Sequence, residues 1–240
     1  MKKYFPLLFV VAISLYSCDH FGHERVRGNG MIKTENRTVS AFSGIDVGGA
    51  YEVYLTQDSV TSVKIEADEN LLPFIKTRVE GATLVIETNG DVNLRPTGKI
   101  KIYVSNSSFQ EFHVSGASNL YSQSKIHTEQ PISFDLSGAS RIQMELESPK
   151  VTVDASGAGS IMLKGQTREL HIGGSGSTDA ACFDMLSEKT SVDITGAGSA
   201  EVFASISLDI KISGAGEVKY KGNASVNQSI SGAGSVKKVD

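Results

Sequence analysis

The sequence predicts an all-β chain wound as a β-solenoid, and three observations predict it. A short glycine phrase returns seven times between Val114 and Val236, successive copies lie near twenty residues apart, and the apolar residues around each copy alternate with the period of a strand. The copies are VSGASNL (Val114 to Leu120), LSGASRI (Leu136 to Ile142), ASGAGSI (Ala155 to Ile161), IGGSGST (Ile172 to Thr178), ITGAGSA (Ile194 to Ala200), ISGAGEV (Ile212 to Val218) and ISGAGSV (Ile230 to Val236). Aligned on Gly116, Gly138, Gly157, Gly174, Gly196, Gly214 and Gly232, they step by 22, 19, 17, 22, 18 and 18 residues. Self-similarity at that period marks stacked units, none of which buries an apolar face alone.

Three columns of each phrase are expected to point inward. These are the residue two before the central glycine (Val114, Leu136, Ala155, Ile172, Ile194, Ile212, Ile230), the one after it (Ala117, Ala139, Ala158, Ser175, Ala197, Ala215, Ala233) and the one four after it (Leu120, Ile142, Ile161, Thr178, Ala200, Val218, Val236). A second glycine column (Gly159, Gly176, Gly198, Gly216, Gly234, with Ser118 and Ser140 in the first copies) is expected at a corner needing positive φ or no side chain. Rungs stacked about 4.8 Å apart would bond backbone to backbone and share a thin core of Ala, Val, Ile and Leu. Such a core accounts for the absence of Trp and an aromatic content of 7%.

Upstream, Val47-Gly48-Gly49-Ala50-Tyr51-Glu52-Val53 fits the inward columns at Val47, Ala50 and Val53. The interval from there to Gly116 alternates at Ser62 to Glu66, Thr83 to Thr88 and Lys99 to Ser105 but does not repeat, as expected of a segment that caps a stack. Asn70 to Phe74, with Pro73 in it, reads as a single helical turn.

Residues 1–18 read as a lipoprotein signal peptide, with Lys2 and Lys3 ahead of an apolar run too short to span a bilayer and a lipobox-like Leu15-Tyr16-Ser17-Cys18 that makes Cys18 the lipidation site. Residues 19–36 are then expected to be a polar tether, and residues 37–240 one domain. Without Lys2 and Lys3 the exported chain has 21 basic against 27 acidic residues, a balance that argues against nucleic acid and against anionic lipid surfaces, so that membrane association falls to the lipid. Cys182 is left without a partner cysteine and is expected to be a buried structural thiol.

The entry stretch Phe42-Ser43-Gly44-Ile45-Asp46-Val47-Gly48-Gly49-Ala50-Tyr51-Glu52-Val53-Tyr54-Leu55, the segment Ala67-Asp68-Glu69-Asn70-Leu71-Leu72, the strand Gly81-Ala82-Thr83-Leu84-Val85-Ile86 and the run of SGAG phrases together resemble the exported head GIN domain proteins, a bacterial family grouped with autotransporter-type adhesins. The resemblance covers about Arg37 to the C-terminus. It implies a right-handed parallel β-helix similar to that of pectin lyases, no catalytic residues and no cofactor, and adhesion as the role.

One outward column collects ionisable groups. Three residues before the central glycines stand Asp46, His113, Asp135, Asp154, His171, Asp193, Lys211 and Ser229, which on a coil would share one face and make Asp135 and Asp154 neighbours able to raise a carboxylate pKa or hold a cation. The alternative is that outward strand positions are simply polar and that mixed charges relieve stacking repulsion. A row of hydroxyls (Ser115, Ser137, Ser156, Thr195, Ser213, Ser231) could meet a ligand, or bond to neighbouring backbone. His20 and His23 are two imidazoles in the tether, a weak metal signal against the simpler reading of solvated side chains.

The expected function is therefore a non-catalytic, lipid-anchored binding protein of the cell envelope, periplasmic or surface-exposed, offering a rigid face to glycan or protein. A polysaccharide lyase or hydrolase using the Asp/His column and an envelope assembly module that self-associates are the competing readings. The acids are spread along a regular column and Trp is missing, which disfavours the enzyme; no metal site is assigned.

Overall fold

In the computed structural model, which describes residues 24–90 and 92–240, the chain is an all-β, right-handed parallel solenoid whose N-terminal part is irregular. From Glu111 onward each rung consists of one strand before a glycine corner and one after it, each paired in parallel with the rungs above and below. Because side chains alternate along each strand, one set faces a shared interior. The first sheet stacks Ile45, Phe112, Phe134, Val153, Ile172, Val192 and Ile210 in register, and the second stacks Val53, Leu120, Ile142, Ile161, Ala180, Ala200 and Val218. All of these are buried and belong to one continuous core.

The corner is made by one glycine of each phrase. Gly116, Gly138, Gly157, Gly176, Gly196, Gly214 and Gly232 all have positive φ, and a Cβ at Gly138 would lie 2.4 Å from the carbonyl oxygen of Gly116 in the rung before. That oxygen accepts the N–H of Ala139, and the same bond recurs as Ala158 to Gly138, Ala197 to Gly176 and Ala215 to Gly196. Glycine is needed here for its conformation and for the close approach of backbones.

Three expectations about the phrase change accordingly. The positive φ sits on the corner glycine, Gly176 included, whereas the column two residues on (Ser118, Ser140, Gly159, Thr178, Gly198, Gly216) faces inward and is buried. There Gly198 and Gly216 meet the expected need for no side chain, a Cβ lying 2.6 and 2.8 Å from its neighbours. The alanine column (Ala117, Ala139, Ala158, Ala197, Ala215) is exposed, because the chain reverses its facing at the corner; Ala50 is exposed for the same reason. The fourth phrase is aligned on Gly176 and not on Gly174: Gly176 pairs with Gly157 and Gly196, while Gly174 falls between Ala155 and Ile194 in the inward column. The true steps are 22, 19, 19, 20, 18 and 18 residues, closer to even than the sequence alignment suggested.

A far corner closes each rung with buried hydroxyls. Ser148, Thr167 and Ser187 are in register and hydrogen-bond to nearby backbone: Ser148 donates to the carbonyls of Gln130 and Lys150, Thr167 to that of Glu169, and Ser187 to that of Phe203. Polar side chains at an inward corner thus satisfy carbonyls that no strand partner reaches.

The N-terminal part ends both sheets with antiparallel strands. Ile32–Arg37 pairs antiparallel with Ser62–Asp68, which pairs antiparallel with Lys101–Asn106; Ile75–Glu80 pairs antiparallel with Thr83–Thr88, which joins Gly44–Gly49. The expected helical turn is the short 3-10 helix Leu72–Phe74. Phe109, Phe112 and Phe134 stack at 6.1 and 4.8 Å where this part meets the regular rungs.

The expected tether at 19–36 differs from the structure over its described residues. Glu24–Arg27 is a strand paired with Val92–Arg95, and Ile32–Arg37 is the edge strand just described. Its partner groups come from the segment Asp68 to Asn70. Buried Asp68 accepts hydrogen bonds from Gly30 N, Thr97 N and the Thr97 hydroxyl, while Asn70 accepts from Asn29 N and donates to the Arg27 carbonyl. Polar composition suggested solvent contact, but these residues are satisfied by groups some forty positions away. Residues 19–23, with His20 and His23, and the signal segment with Cys18 lie outside the described residues.

Candidate functional site

The outward column expected from the sequence forms, with one member replaced. Asp46, His113, Asp135 and Asp154 follow one another in register on adjacent strands, and Asp193, Lys211 and Ser229 continue the row. Between Asp154 and Asp193 stands Gly173, not His171. His171 pairs with Thr152 and Ser191 two positions away, because the fourth phrase is aligned on Gly176.

The glycine gap makes a notch of about 350 Å³ lined by Asp135, Asp154, His171, Gly173, Asp193 and Thr195 among others. A Cβ on Gly173 would meet an Asp154 carboxylate oxygen at 2.6 Å, so Asp154 leans over the space a side chain would fill. Asp135 and Asp154 are strand neighbours as expected, yet each turns to a different histidine. His113 Nδ1 lies 3.6 Å from Asp135 Oδ2, and His171 Nε2 lies 3.8 Å from Asp154 Oδ1, with His171 Nδ1 held 2.7 Å from the Ser191 hydroxyl. Both carboxylates are well exposed, at 69% and 65% of their side-chain surface. Among the described residues no three His, Cys, Asp or Glu side chains group as a metal site. The row is thus a face of separated, solvated charges with partial cross-rung pairing.

In the hydroxyl row, Ser115 and Ser156 donate to the carbonyls of Val47 and Leu136 on the preceding rung. Cys182 is fully buried among the inward side chains, and burial pushes its thiol pKa up to about 12, so it is held as an inert thiol.

On the sheet after the corner lies a face that sequence reasoning missed. Tyr103, Tyr54 and Tyr121 occupy one outward position on three adjacent strands, with ring centroids 5.2 and 5.4 Å apart and nearly parallel planes. The Lys64 ammonium sits 4.5 Å from the centre of the Tyr103 ring at one end, and Gln143 and half-exposed Met162 continue the row at the other. Tyr54 donates its hydroxyl to Glu52 at 3.0 Å; burial, the Glu52 bond and the neighbouring phenols raise its pKa. Tyr54 and Tyr121 both stand five residues after their corner glycine, a coincidence visible in the sequence once Gly49 is aligned with Gly116. Tyr103 lies where no phrase repeats and had no such signal.

Comparison with known proteins places this architecture among solved structures. A putative adhesin from Bacteroides fragilis superposes with a TM-score of 0.85 at 21% identity, covering 89% of this chain and 100% of that one. A putative adhesin and a putative lipid binding protein, both from Parabacteroides distasonis, superpose at 0.71 and 0.69, each at 26% identity and each covering 90% of this chain and 100% of its own. No curated protein matches. The family described as "Putative auto-transporter adhesin, head GIN domain" matches residues 41–224, from the entry strand through the sixth glycine phrase, and the chain belongs to that family.

Proposed function

We propose that the protein is a non-catalytic binding module of the bacterial cell envelope, held at a membrane by lipid on Cys18 and presenting a rigid solenoid face to a glycan or a protein. The observation that carries this reading is the strict rung register: two outward faces, one of separated charges and one of stacked tyrosines, run unbroken over several strands on a scaffold that cannot flex side chain by side chain. Adhesin names among structural relatives and the family description agree with it. The acids of the Asp46 row are exposed and divided between separate histidines, which suits a contact surface better than an acid/base pair.

A glycan array combined with turnover assays on acidic polysaccharides tests the reading. Retention of a ligand in unchanged form is the expected result; release of products that ceases in Asp135→Asn or Asp154→Asn would overturn it in favour of an enzyme. The anchor is tested separately by incorporation of labelled fatty acid, expected in the native chain and lost in Cys18→Ser.

A further inference from the structure

We propose that the tyrosine ladder is the contact surface for an extended, uncharged, β-linked glycan lying across the rungs along the solenoid axis. The inference rests on the binding reading above and names the face and the ligand class. Ring centroids 5.2 and 5.4 Å apart exceed the thickness of touching rings, about 3.5–4 Å, so the three tyrosines are slipped like shingles. The offset rings turn their edges and the uncovered parts of their faces outward, with the far face of Tyr121 unstacked by another ring, and all three are half-buried.

A pyranose chain with equatorial β linkages offers flat C–H faces edged by hydroxyls, repeating at a pitch close to one rung. Apolar C–H faces suit aromatic faces, and the same strands supply groups for the hydroxyl edges: Glu52 beside Tyr54, the Thr56 and Gln123 pair, and Asn119 and Arg141 two positions before the row. Charge selects a neutral ligand. Lys101 is paired with Glu66 at 2.9 Å, Lys99 with Glu52 at 3.2 Å, and Lys64 lies over the Tyr103 ring, so Arg141 stands singly as an open cation and a polyanion finds no row of them. Lys64 covers the free face of Tyr103, whereas Gln143 and Met162 extend the strip beyond Tyr121, so the chain would run from Tyr103 toward Met162.

Calorimetric titration of the full-length protein in detergent micelles with cellohexaose, chitohexaose and β-1,4-mannohexaose, against α-linked maltohexaose, tests this. Saturable binding of at least one extended oligomer and none of maltohexaose is expected. Affinity should fall about ten-fold in Tyr54→Ala and again in Tyr121→Ala, and stay within about two-fold in Tyr54→Phe, which keeps the ring. Oligomer binding that both alanine variants leave intact, with the native circular dichroism spectrum, overturns the ladder while the binding reading stands. Binding of none of the three oligomers, with a different ligand retained on the array, has the same meaning. A blank array as well removes the binding reading itself.

Discussion

Before Glu111 the strands run in both directions and the interior is filled by large side chains, with Phe42, Tyr51 and Phe109 buried beside Ile and Leu; beyond it every described strand is parallel and, past Phe112 and Phe134, the interior narrows to Ala, Val, Ile, Leu, the odd sulfur and small hydroxyls. The difference follows from position in the stack. An inner rung has a neighbour on both sides, so one corner recipe can recur. A terminal rung has an open edge, and parallel strand edges left open invite pairing with other chains. At the N-terminal end the edge is met by the antiparallel strands Ile32–Arg37 and Ile75–Glu80. In the last described rung two inward positions turn polar, Gln228 opposite Ile210 and Lys238 opposite Tyr220, while Val226, Ile230 and Val236 stay apolar and Ile230 is 40% exposed. The N-terminal edge is covered by strands folded across the stack, whereas the last described rung only interrupts its apolar columns with an amide and a charge.

Phe112 is where the two regions are joined, stacked on Phe109 from one and Phe134 from the other. Phe112→Ala removes the shared ring, and a cost of about 3–5 kcal/mol is expected. Urea unfolding followed by circular dichroism should change from one transition to two as the N-terminal layer uncouples. A single transition with a loss below about 1 kcal/mol would show that the regions do not depend on this contact.

Asp68 tests the N-terminal layer alone. Burial by itself would raise its carboxyl pKa, but the hydrogen bonds from the Thr97 amide and hydroxyl and the Gly30 amide overcome that and hold it below its usual value. A lowered folded-state pKa means the stabilisation is complete above the unfolded value near 3.9 and is lost as pH falls toward the folded one. Asp68→Asn is therefore expected to cost about 2–3 kcal/mol at pH 7, with the gap from the native chain narrowing below about pH 4. Urea midpoints measured from pH 7 to pH 3 check this; a gap that stays constant across the range would mean the carboxylate charge is not what those donors hold.

The regular coil was legible because local chemistry and tertiary register coincide there: a glycine recurs where positive φ and a close carbonyl demand it, and apolar alternation marks the inward side. What escaped depended on non-local partners. The facing of the alanines could not be read, since alternation breaks at the corner and an alanine fits either side. The strands at Glu24–Arg27 and Ile32–Arg37 looked like a solvated arm because Asp68, Asn70 and Thr97, which satisfy them, are distant in sequence. That His171 falls outside the Asp46 row is hidden because IGGSGST offers three glycines, Gly173, Gly174 and Gly176, and nothing local marks Gly176 as the corner; Asp46, His113, Asp135, Asp154, Asp193 and Lys211 share the row.

That same ambiguous phrase supplies the subtlest test of the comparison, because it inverts the packing of the three phrases that follow it. In those, an isoleucine two before the corner (Ile194, Ile212, Ile230) goes with a glycine two after it (Gly198, Gly216, Gly234): a Cβ at Gly216 would lie 3.3 Å from Ile212 Cγ2 in its own rung and 2.8 Å from Ile194 Cγ2 in the rung before. In the fourth phrase the volumes are exchanged, with Gly174 before the corner and Thr178 after it, and the Thr178 Cβ lies 3.5 Å from where a Gly174 Cβ would stand. The exchange leaves the Thr178 hydroxyl buried without a hydrogen-bond partner. Gly174→Ile alone should overpack the site and cost about 1–3 kcal/mol, and Thr178→Gly alone should cost about 1–2 kcal/mol through the space it vacates. Combined, they reproduce the Ile/Gly pairing of the three rungs that follow and remove the orphan hydroxyl, so the double variant should be more stable than the sum of the two by at least about 1 kcal/mol. Additive losses in urea unfolding would mean that the two positions do not share one packing space, and that the coil's regularity comes from its glycine corners alone.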